Sequence, residues 1–375
     1  MKTQFTLHTR SLFSGSMRAR VKPALFAAAI ALLLPGALWA DDDDRPFLPG
    51  AVRSATTIPS NGDLNPYGIA FVPPQFPAGG AAKPGDVLVS NFNGSKNLQG
   101  TGTTIVNIPT GGATALFFQG QPGLGLTTAL NILKKGFVLV GNFPSTDGTC
   151  GTAKAGSVLV IDKSGNLVST ISDPLINGPW DSALFDQGSS AKFFVSNGLS
   201  GTVVRLDLAV GASGVTVKKI TQIASGYAFG CDPVAFVNAP TGLVYDEERD
   251  VLYVASTKDN EIFAVGDARD TKHDRGPGTV VYADNVHLHG PIAMIQAPNG
   301  HLVVSNNDAV NTDPKQPSEL VEFTKKGEFV KQISIDPVLD GDFGIAVATS
   351  GDLAHFAAVD DNQNILLLWT FKLPE

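Results

Sequence analysis

The chain has 375 residues, with 27 Lys and Arg against 35 Asp and Glu, so its formal net charge is −8. This excess of acidic residues disfavours a nucleic-acid partner, because nucleic-acid binding needs a basic surface. It also disfavours electrostatic binding to anionic membranes. The length exceeds that of a typical single domain, so either several domains or a repeat architecture is expected.

The first 40 residues predict a secretory signal peptide. Residues 1–22 carry five basic residues and no acid, and residues 23–39 are almost wholly apolar. Cleavage after Ala40 would leave a mature chain of net charge −13 that begins with an acidic segment, residues 41–50, which we expect to be disordered. The predicted location is therefore periplasmic or extracellular.

A single membrane anchor is the alternative for this segment. The apolar run is near the lower limit for spanning a bilayer and is interrupted by Pro35 and Gly36, so we expect no stable membrane insertion after cleavage. Met17 is an alternative start that would give a more typical signal peptide.

A short phrase then recurs six times, every 50 to 59 residues. It reads two hydrophobic residues, Val, a small residue, and Asn or a substitute, and its copies are 87–91, 138–142, 193–197, 252–256, 302–306 and a degraded 357–361. Each copy lies between other short runs rich in Val, Ile, Phe and Thr that are bounded by turn residues, which is typical of strands. A period of this length predicts an all-β propeller rather than a sandwich.

Each repeat reads as four antiparallel strands, so the sequence predicts a six-bladed β-propeller over residues 51–375. The sixth unit has only three recognisable strands before the chain stops. We expect Val52–Ile58, which has no other partner, to supply the missing strand and close the ring.

Two cysteines, Cys150 and Cys231, belong to the predicted mature chain. An oxidising compartment favours a disulfide. Cys150 follows the second strand of repeat two and Cys231 precedes the first strand of repeat four, and these two kinds of connection emerge on the same face of the ring. Their repeats are not adjacent, so one loop would have to reach across, and two separate thiols remain the alternative.

Two kinds of segment resemble known propeller families. Residues 195–203 and 254–262 resemble the NHL repeat, and Pro66–Ala70 and Pro240–Val244 resemble the Pro-Asn-Gly-Leu-Ala element shared by NHL, gluconolactonase (SMP-30) and strictosidine-synthase-like propellers. The resemblance covers roughly residues 50–372 and implies a six-bladed propeller. It implies no single function, because those families include hydrolases, lyases and binding modules.

The resemblance would also imply a divalent metal on the central axis, held by Glu, Asn and Asp side chains. The matching positions here are Tyr67, Thr241 and Phe343, with Trp180 nearby, and none is a good ligand for a hard cation. We therefore expect no cofactor of that kind.

Connections that lead into each first strand converge at one mouth of the predicted channel. Aromatic walls with a few polar groups suit a ligand site there. The candidate ligand-binding residues are Asn65, Tyr67, Trp180, Asp181, Thr241, Asp342 and Phe343.

His287 and His289 flank Leu288 close to this mouth. In an extended segment alternate residues project to the same side. The two imidazoles could then share a divalent metal with Asp181 or Asp342, or act as a general base. Solvated or hydrogen-bonded loop histidines are the structural alternative.

The leading functional hypothesis is an exported, monomeric propeller that binds a small molecule, glycan or peptide at the mouth of its channel. One alternative is a lactonase- or lyase-type enzyme with His287 or His289 as base or metal ligand. Another is a scaffold that uses the sides of the blades for protein contacts.

Overall fold

The computed structural model describes residues 53–373, which form six four-stranded antiparallel sheets and one two-stranded sheet. The predicted signal peptide, the acidic segment and Val52 lie outside the described residues. The strands of the propeller in chain order are β1 (Arg53–Thr56), β2 (Leu64–Phe71), β3 (Val87–Asn93), β4 (Thr104–Ile108), β5 (Ala115–Gln119), β6 (Leu126–Leu133), β7 (Phe137–Asn142), β8 (Ser157–Asp162), β9 (Leu167–Ile171), β10 (Pro179–Asp186), β11 (Ser190–Asn197), β12 (Thr202–Val210), β13 (Val215–Ser225), β14 (Gly230–Asp232), β15 (Phe236–Asn238), β16 (Pro240–Asp246), β17 (Val251–Ser256), β18 (Glu261–Gly266), β19 (Thr279–Tyr282), β20 (Pro291–Gln296), β21 (Leu302–Asn306), β22 (Glu319–Phe323), β23 (Phe329–Ser334), β24 (Asp342–Ser350), β25 (Leu353–Asp360) and β26 (Ile365–Lys372).

Blades 1 to 5 each use four consecutive strands, beginning with β2, β6, β10, β16 and β20. Blade 6 contains β24, β25 and β26, with β1 as its outer strand. The first strand of each blade is the innermost, and these inner strands contact one another around the ring, β24 against β2 included. Six blades with four strands each confirm the predicted fold class. Among the described residues only Cys150–Thr152 is helical, as a single 3-10 turn, and no described helix has the length and apolar character needed to cross a bilayer.

The recurring sequence phrase is the second strand of each blade, and it is almost wholly buried. In β3, β7 and β21 every residue is buried, because a blade is covered on both faces by its neighbours. Apolar residues therefore run continuously along these strands instead of alternating with polar ones.

A serine at the fourth position of the phrase couples each odd-numbered blade to the next. In blade 3, Ser196 Oγ accepts the N–H of Asp181 at 3.0 Å and donates to the carbonyl of Thr241 in blade 4 at 2.8 Å. Ser90 in blade 1 and Ser305 in blade 5 make the equivalent pair of bonds. These hydroxyls satisfy buried backbone groups at the β-bulge that starts each inner strand.

The even-numbered blades 2 and 4 use a different residue for the same link. Gly141 and Ala255 stand where the serine would be, and a threonine on the inner strand replaces its hydroxyl. Thr241 Oγ donates to the carbonyl of Pro291 in blade 5 at 3.1 Å, and Thr127 in blade 2 makes the equivalent bond to blade 3. In the blades whose phrase lacks a serine, a threonine on the neighbouring inner strand therefore supplies the hydroxyl group.

The ring closes between blades 6 and 1. Strand β1 pairs with β26 from Arg53 opposite Leu368 to Thr56 opposite Ile365, which confirms the predicted closing strand. On the inner side, Gly344 packs so closely on blade 1 that a Cβ atom there would lie 1.9 Å from the carbonyl oxygen of Tyr67. A glycine is required at this contact because any side chain would force the two blades apart.

Candidate functional site

Aromatic side chains close the channel at the mouth predicted from the sequence. Tyr67, Trp180 and Phe343 stand at equivalent positions near the start of the inner strands of blades 1, 3 and 6. The Tyr67 ring centroid lies 4.5 Å from that of Phe343 and 5.5 Å from that of Trp180. Blades 1 and 3 are not neighbours, so these rings meet across the centre of the ring and form a plug.

A hairpin between blades 3 and 4 covers this plug. Strands β14 and β15 pair with each other, and the hairpin places Phe236 against Phe92, Phe143 and Trp180. Phe236 adopts a φ of +66°, which is costly for a bulky residue and is held by this packing. We call Gly230–Asn238 the cap.

The predicted disulfide joins the cap to blade 2. Cys150 lies after β7 and Cys231 lies on β14, and their Cα atoms are 5.4 Å apart. The loop that reaches across the ring is therefore the cap itself. On the opposite side, the Gln99 side chain of blade 1 donates to the carbonyl of Val234 at 2.6 Å. The cap is thus fixed to two blades that do not adjoin it in sequence.

A small cavity of about 180 Å³ remains between the cap and the plug. Asn65, Tyr67 and Phe343, three of the predicted ligand-binding residues, line it together with Asp340 and Asp361. Burial, chiefly, and neighbouring carboxylates raise the pKa of Asp361 to about 7, and burial raises that of Asp340. We call this space the upper cavity.

A larger cavity of about 590 Å³ occupies the channel on the other side of the plug. It is lined by the later parts of the inner strands of all six blades and by Tyr67, which lines both cavities. It reaches solvent where Pro74 and Thr349 are exposed, at the end opposite the predicted mouth. We call it the channel cavity.

Aliphatic and small side chains form most of the channel cavity. Among the described residues that line it, Asp181 is the only Asp, Glu, Lys, Arg or His. Its carboxylate accepts the N–H of Ser182 at 2.7 Å and the N–H of Leu243 in blade 4. Burial raises the pKa of Asp181 well above its usual value despite these two bonds, because the apolar wall penalises the charged form.

The remaining predicted ligand-binding residues line neither cavity. Trp180 is fully buried in the plug. Thr241 is buried and serves the link between blades 4 and 5 described above. Asp342 is completely buried at the start of β24. The predicted ligand-binding residues therefore do not form one site. They lie in the plug, in the two cavities and at buried positions outside both cavities.

The two predicted histidines point to different partners. Residues 285–287 form a turn, in which His287 N–H and Leu288 N–H both donate to the carbonyl of Asp284, so the extended segment assumed in the prediction is not found. The His287 ring stacks on Phe329 at 3.8 Å between centroids and pairs with the Asp284 carboxylate. Neither His287 nor His289 lines either cavity.

His289 instead belongs to a buried group with Asp308 and Glu319. Ligand atoms of the three residues lie within 4.8 Å of one another, and the residues are 1%, 3% and 0% exposed. The neighbouring Glu319 raises the pKa of His289, while burial opposes the shift, and burial raises the pKa of Asp308 to about 6. Neither Asp308 nor Glu319 was among the residues predicted from the sequence.

A signal for Glu319 was nevertheless present in the repeat. The Asn that ends the phrase donates to Thr104 in blade 1, Ser157 in blade 2 and Thr202 in blade 3, each at the start of the third strand. In blade 5 the same bond goes to Glu319. A carboxylate therefore stands where blades 1 to 3 have a hydroxyl. Blade 4 also has a glutamate at this position, Glu261, so the signal becomes specific only together with His289 and Asp308.

Comparison with known proteins shows a likeness in fold but none in sequence. No family model matches the chain, and no curated protein matches it by sequence. Among solved structures, a gluconolactonase from Xanthomonas campestris is 13% identical with a TM-score of 0.50, covering 87% of this chain and 90% of that one. The chain thus shares the fold of gluconolactonase-like six-bladed propellers, as its sequence motifs predicted.

Two further solved structures are similar to the chain at a lower level. A catalytically inactive virginiamycin B lyase from Staphylococcus aureus is 13% identical, with a TM-score of 0.49 and coverage of 86% of this chain and 89% of that one. The calcium-binding protein regucalcin from Agrobacterium tumefaciens is 13% identical, with a TM-score of 0.48 and coverage of 85% and 95%. At this level of identity the likeness concerns the fold alone.

Proposed function

We propose that the protein is an exported propeller that binds a small apolar molecule bearing an amino group in its channel cavity. The observation that carries this proposal is the single ionisable acid, Asp181, in the wall of an otherwise uncharged cavity closed at one end. Binding sites for small molecules are typically apolar, with a few polar groups that fix orientation. The proposed site is therefore reached from the end opposite the mouth predicted from the sequence.

The chemistry of Asp181 favours a cationic partner. In an apolar wall an ionised carboxylate lacks the water that would stabilise its charge. An ammonium group beside it replaces that stabilisation with a favourable electrostatic interaction. Since no described basic residue lines the cavity, the ligand is the natural source of that positive charge. An apolar body would meanwhile cover side chains such as Leu130, Met294 and Val347.

The shape of the cavity favours a small molecule over a glycan or a peptide. A volume of about 590 Å³ lies within the range typical of small-molecule sites. The Tyr67 plug blocks passage through the ring, so an extended chain has no exit. Aliphatic walls also offer few hydrogen-bonding partners for sugar hydroxyls.

Export is supported by the predicted signal peptide and by the disulfide, because disulfides persist in oxidising compartments. Mass spectrometry of the protein recovered from its native host should show a chain that begins at Asp41. A chain that retains residues 1–40 would contradict export through cleavage at this position.

Thermal unfolding of the mature protein against matched ligand pairs tests the binding proposal. Each pair consists of an apolar primary amine and the alcohol of the same skeleton. Bound ligand raises the melting temperature in proportion to its affinity, so amines should stabilise the native protein more than their alcohols do. In Asp181→Asn this preference should disappear.

A second variant tests the same cavity independently, in case Asp181→Asn does not fold. Ala348 is half-buried near the open end of the cavity, and Ala348→Phe should narrow the opening without touching Asp181. Loss of amine stabilisation in both variants supports the proposal. Amine stabilisation that survives both, or its absence from the native protein across the whole panel, overturns it.

A further inference from the structure

Blade 5 contains two buried histidine–glutamate pairs, and they differ in whether the histidine and the glutamate form a hydrogen bond with each other. His301 Nδ1 lies 2.7 Å from Glu322 Oε1 in a hydrogen bond, and the Asn299 side chain also donates to Glu322. His289 Nδ1 lies 3.1 Å from Glu319 Oε1 as an ion pair outside hydrogen-bond geometry, and neither atom has a hydrogen-bond partner among the described residues. Only the second pair has a third potential ligand, Asp308, beside it.

Each of the three residues in this group has an unsatisfied atom. His289 Nδ1, Glu319 Oε1 and Asp308 Oδ1 are all buried and without a hydrogen-bond partner among the described residues. Leaving such atoms unpaired in the interior costs roughly 1–3 kcal/mol each, and more when the group is charged. One bound cation would satisfy all three at once.

The local charge also favours a positive partner. Asp342 lies next to this group, and neither of its carboxylate oxygens has a hydrogen-bond partner among the described residues. If ionised, the carboxyl groups of Asp308, Glu319 and Asp342 would carry three negative charges, of which a protonated His289 would offset one. A divalent ion would offset two and leave the imidazole neutral, as metal ligation requires.

Comparison of blade 5 with blade 3 shows that all three residues differ from their counterparts there. The amide of the phrase Asn donates to the Leu175 carbonyl in blade 3 and to the His287 carbonyl in blade 5, which aligns the two loops. His289, Asp308 and Glu319 then stand where blade 3 has Asn177, Leu199 and Thr202. Three simultaneous changes to metal-ligating residue types at one point are not needed to build a blade, since blade 3 is built without them.

We propose that His289, Asp308 and Glu319 bind one divalent transition-metal ion in the loops at the end of blade 5. An imidazole with two carboxylates suits zinc and its neighbours, whereas calcium and magnesium prefer oxygen ligands alone. Bonds of about 2.0–2.2 Å to one ion place two ligand atoms roughly 3.3 Å apart, close to the observed Nδ1–Oε1 separation.

The ion has a structural role, because its ligands are buried and lie outside both cavities. Asp308 Oδ2 already accepts the N–H groups of Ser318 and Asp340, at 2.9 and 3.0 Å. These bonds already connect the long loop after β21 to the loop that leads into blade 6, and a metal on the other oxygen of Asp308 would also connect it to the loop before β20 and to the start of β22.

Zinc content of the mature protein, measured by plasma mass spectrometry after gel filtration and again after chelation and zinc addition, tests the proposal. We expect one zinc per chain and a melting temperature that rises when zinc is added to the chelated protein. The X-ray absorption spectrum of the zinc-loaded native protein should show nitrogen and oxygen ligands at about 2.0–2.2 Å.

Two isosteric variants on the same strand separate the site from its hydrogen-bonded counterpart. Glu319→Gln should weaken zinc binding at least tenfold, whereas Glu322→Gln, the matched control, should leave affinity within about twofold. Glu319→Thr restores the blade 3 residue and provides a second variant expected to fold without metal. Zinc bound equally by Glu319→Gln and Glu322→Gln, no zinc bound by the native protein, or calcium bound in preference to zinc would each overturn the proposal.

Discussion

Ser196 shows how a single hydroxyl group couples two blades of the ring. It accepts a hydrogen bond from the inner strand of its own blade and donates one to the inner strand of the next. Both partners are buried backbone groups that cannot turn to water. In the odd-numbered blades, the serine at this position of the phrase is therefore needed for its hydrogen bonds as well as for its small size.

Replacing this hydroxyl should destabilise the protein measurably. Ser196→Ala leaves the N–H of Asp181 and the carbonyl of Thr241 without the serine partner, at an expected cost of about 2–4 kcal/mol. Ser213→Ala, at an exposed turn, should change stability by less than about 0.5 kcal/mol. Equal urea midpoints for the two variants would show that the link contributes nothing.

Acidic residues at the upper cavity should make stability depend on pH. The folded-state pKa of Asp361 is raised to about 7, whereas an unfolded Asp titrates near 3.9, so the folded state holds the proton more tightly. The stabilising effect of this group is complete below about pH 4 and is lost as pH rises through about 7.

Asp361→Asn should therefore stabilise the protein at pH 8 and flatten its stability profile between pH 5 and 8. Asp361 is only half-buried and faces the upper cavity, so we expect a gain of about 1–2 kcal/mol rather than the full value of the shift. Urea unfolding at both pH values measures the effect. A variant whose profile matches that of the native protein would show that Asp361 does not titrate in this range.

At the scale of elements, the cap turns an open mouth into a closed one. The hairpin of β14 and β15 is an addition to the four-stranded repeat, and its Phe236 completes the aromatic plug. Its attachments are the disulfide to blade 2 and the Gln99 bond to blade 1. The location of the accessible cavity therefore depends on an element that lies outside the repeat.

Removal of the disulfide should loosen this element. The bond closes a loop of 81 residues, for which chain entropy predicts a contribution of up to about 4.5 kcal/mol, and 2–4 kcal/mol is typical. The double variant Cys150→Ala with Cys231→Ala should lose about 2–4 kcal/mol of stability, and its amide protons at 230–238 should exchange faster. Unchanged exchange in the cap would mean that packing of Phe236 alone holds it.

Much of the architecture was predictable because it follows from repetition. The phrase, its period and the unpaired first strand define six blades and their closure, since buried strands and turns recur at fixed positions. The cap was not predictable because Cys231 and Phe236 lie in an insertion without a counterpart in other blades. The turn at 285–287 likewise overrides the alternation assumed for His287 and His289, because Asp284 accepts two backbone hydrogen bonds there.

At the scale of the whole molecule, closure by β1 joins the two ends of the described chain. Thr57 is fully buried, and its N–H and hydroxyl both donate to the carbonyl of Asn364, at 3.0 and 2.9 Å. The closing strand also covers the edge of β26, which would otherwise expose unpaired backbone groups.

A mature chain shortened to begin at Pro59 should lose this closure. We expect a melting temperature lower by about 10 °C or more and concentration-dependent association through the exposed β26 edge. The matched control begins at Ala51 and lacks only the acidic segment, so it should behave as the full mature chain does. Identical unfolding of the two shortened chains, measured by calorimetry, would exclude a stabilising role for β1.

The most direct test of the proposed function is calorimetric titration of the best amine from the screen into four proteins. These are the native chain, Asp181→Asn and Ala348→Phe at the channel cavity, and Asp361→Asn at the upper cavity. The proposal predicts at least tenfold weaker binding for the two channel variants and a change of less than about twofold for Asp361→Asn. Weaker binding in Asp361→Asn alone, with both channel variants unaffected, would place the ligand under the cap and contradict it.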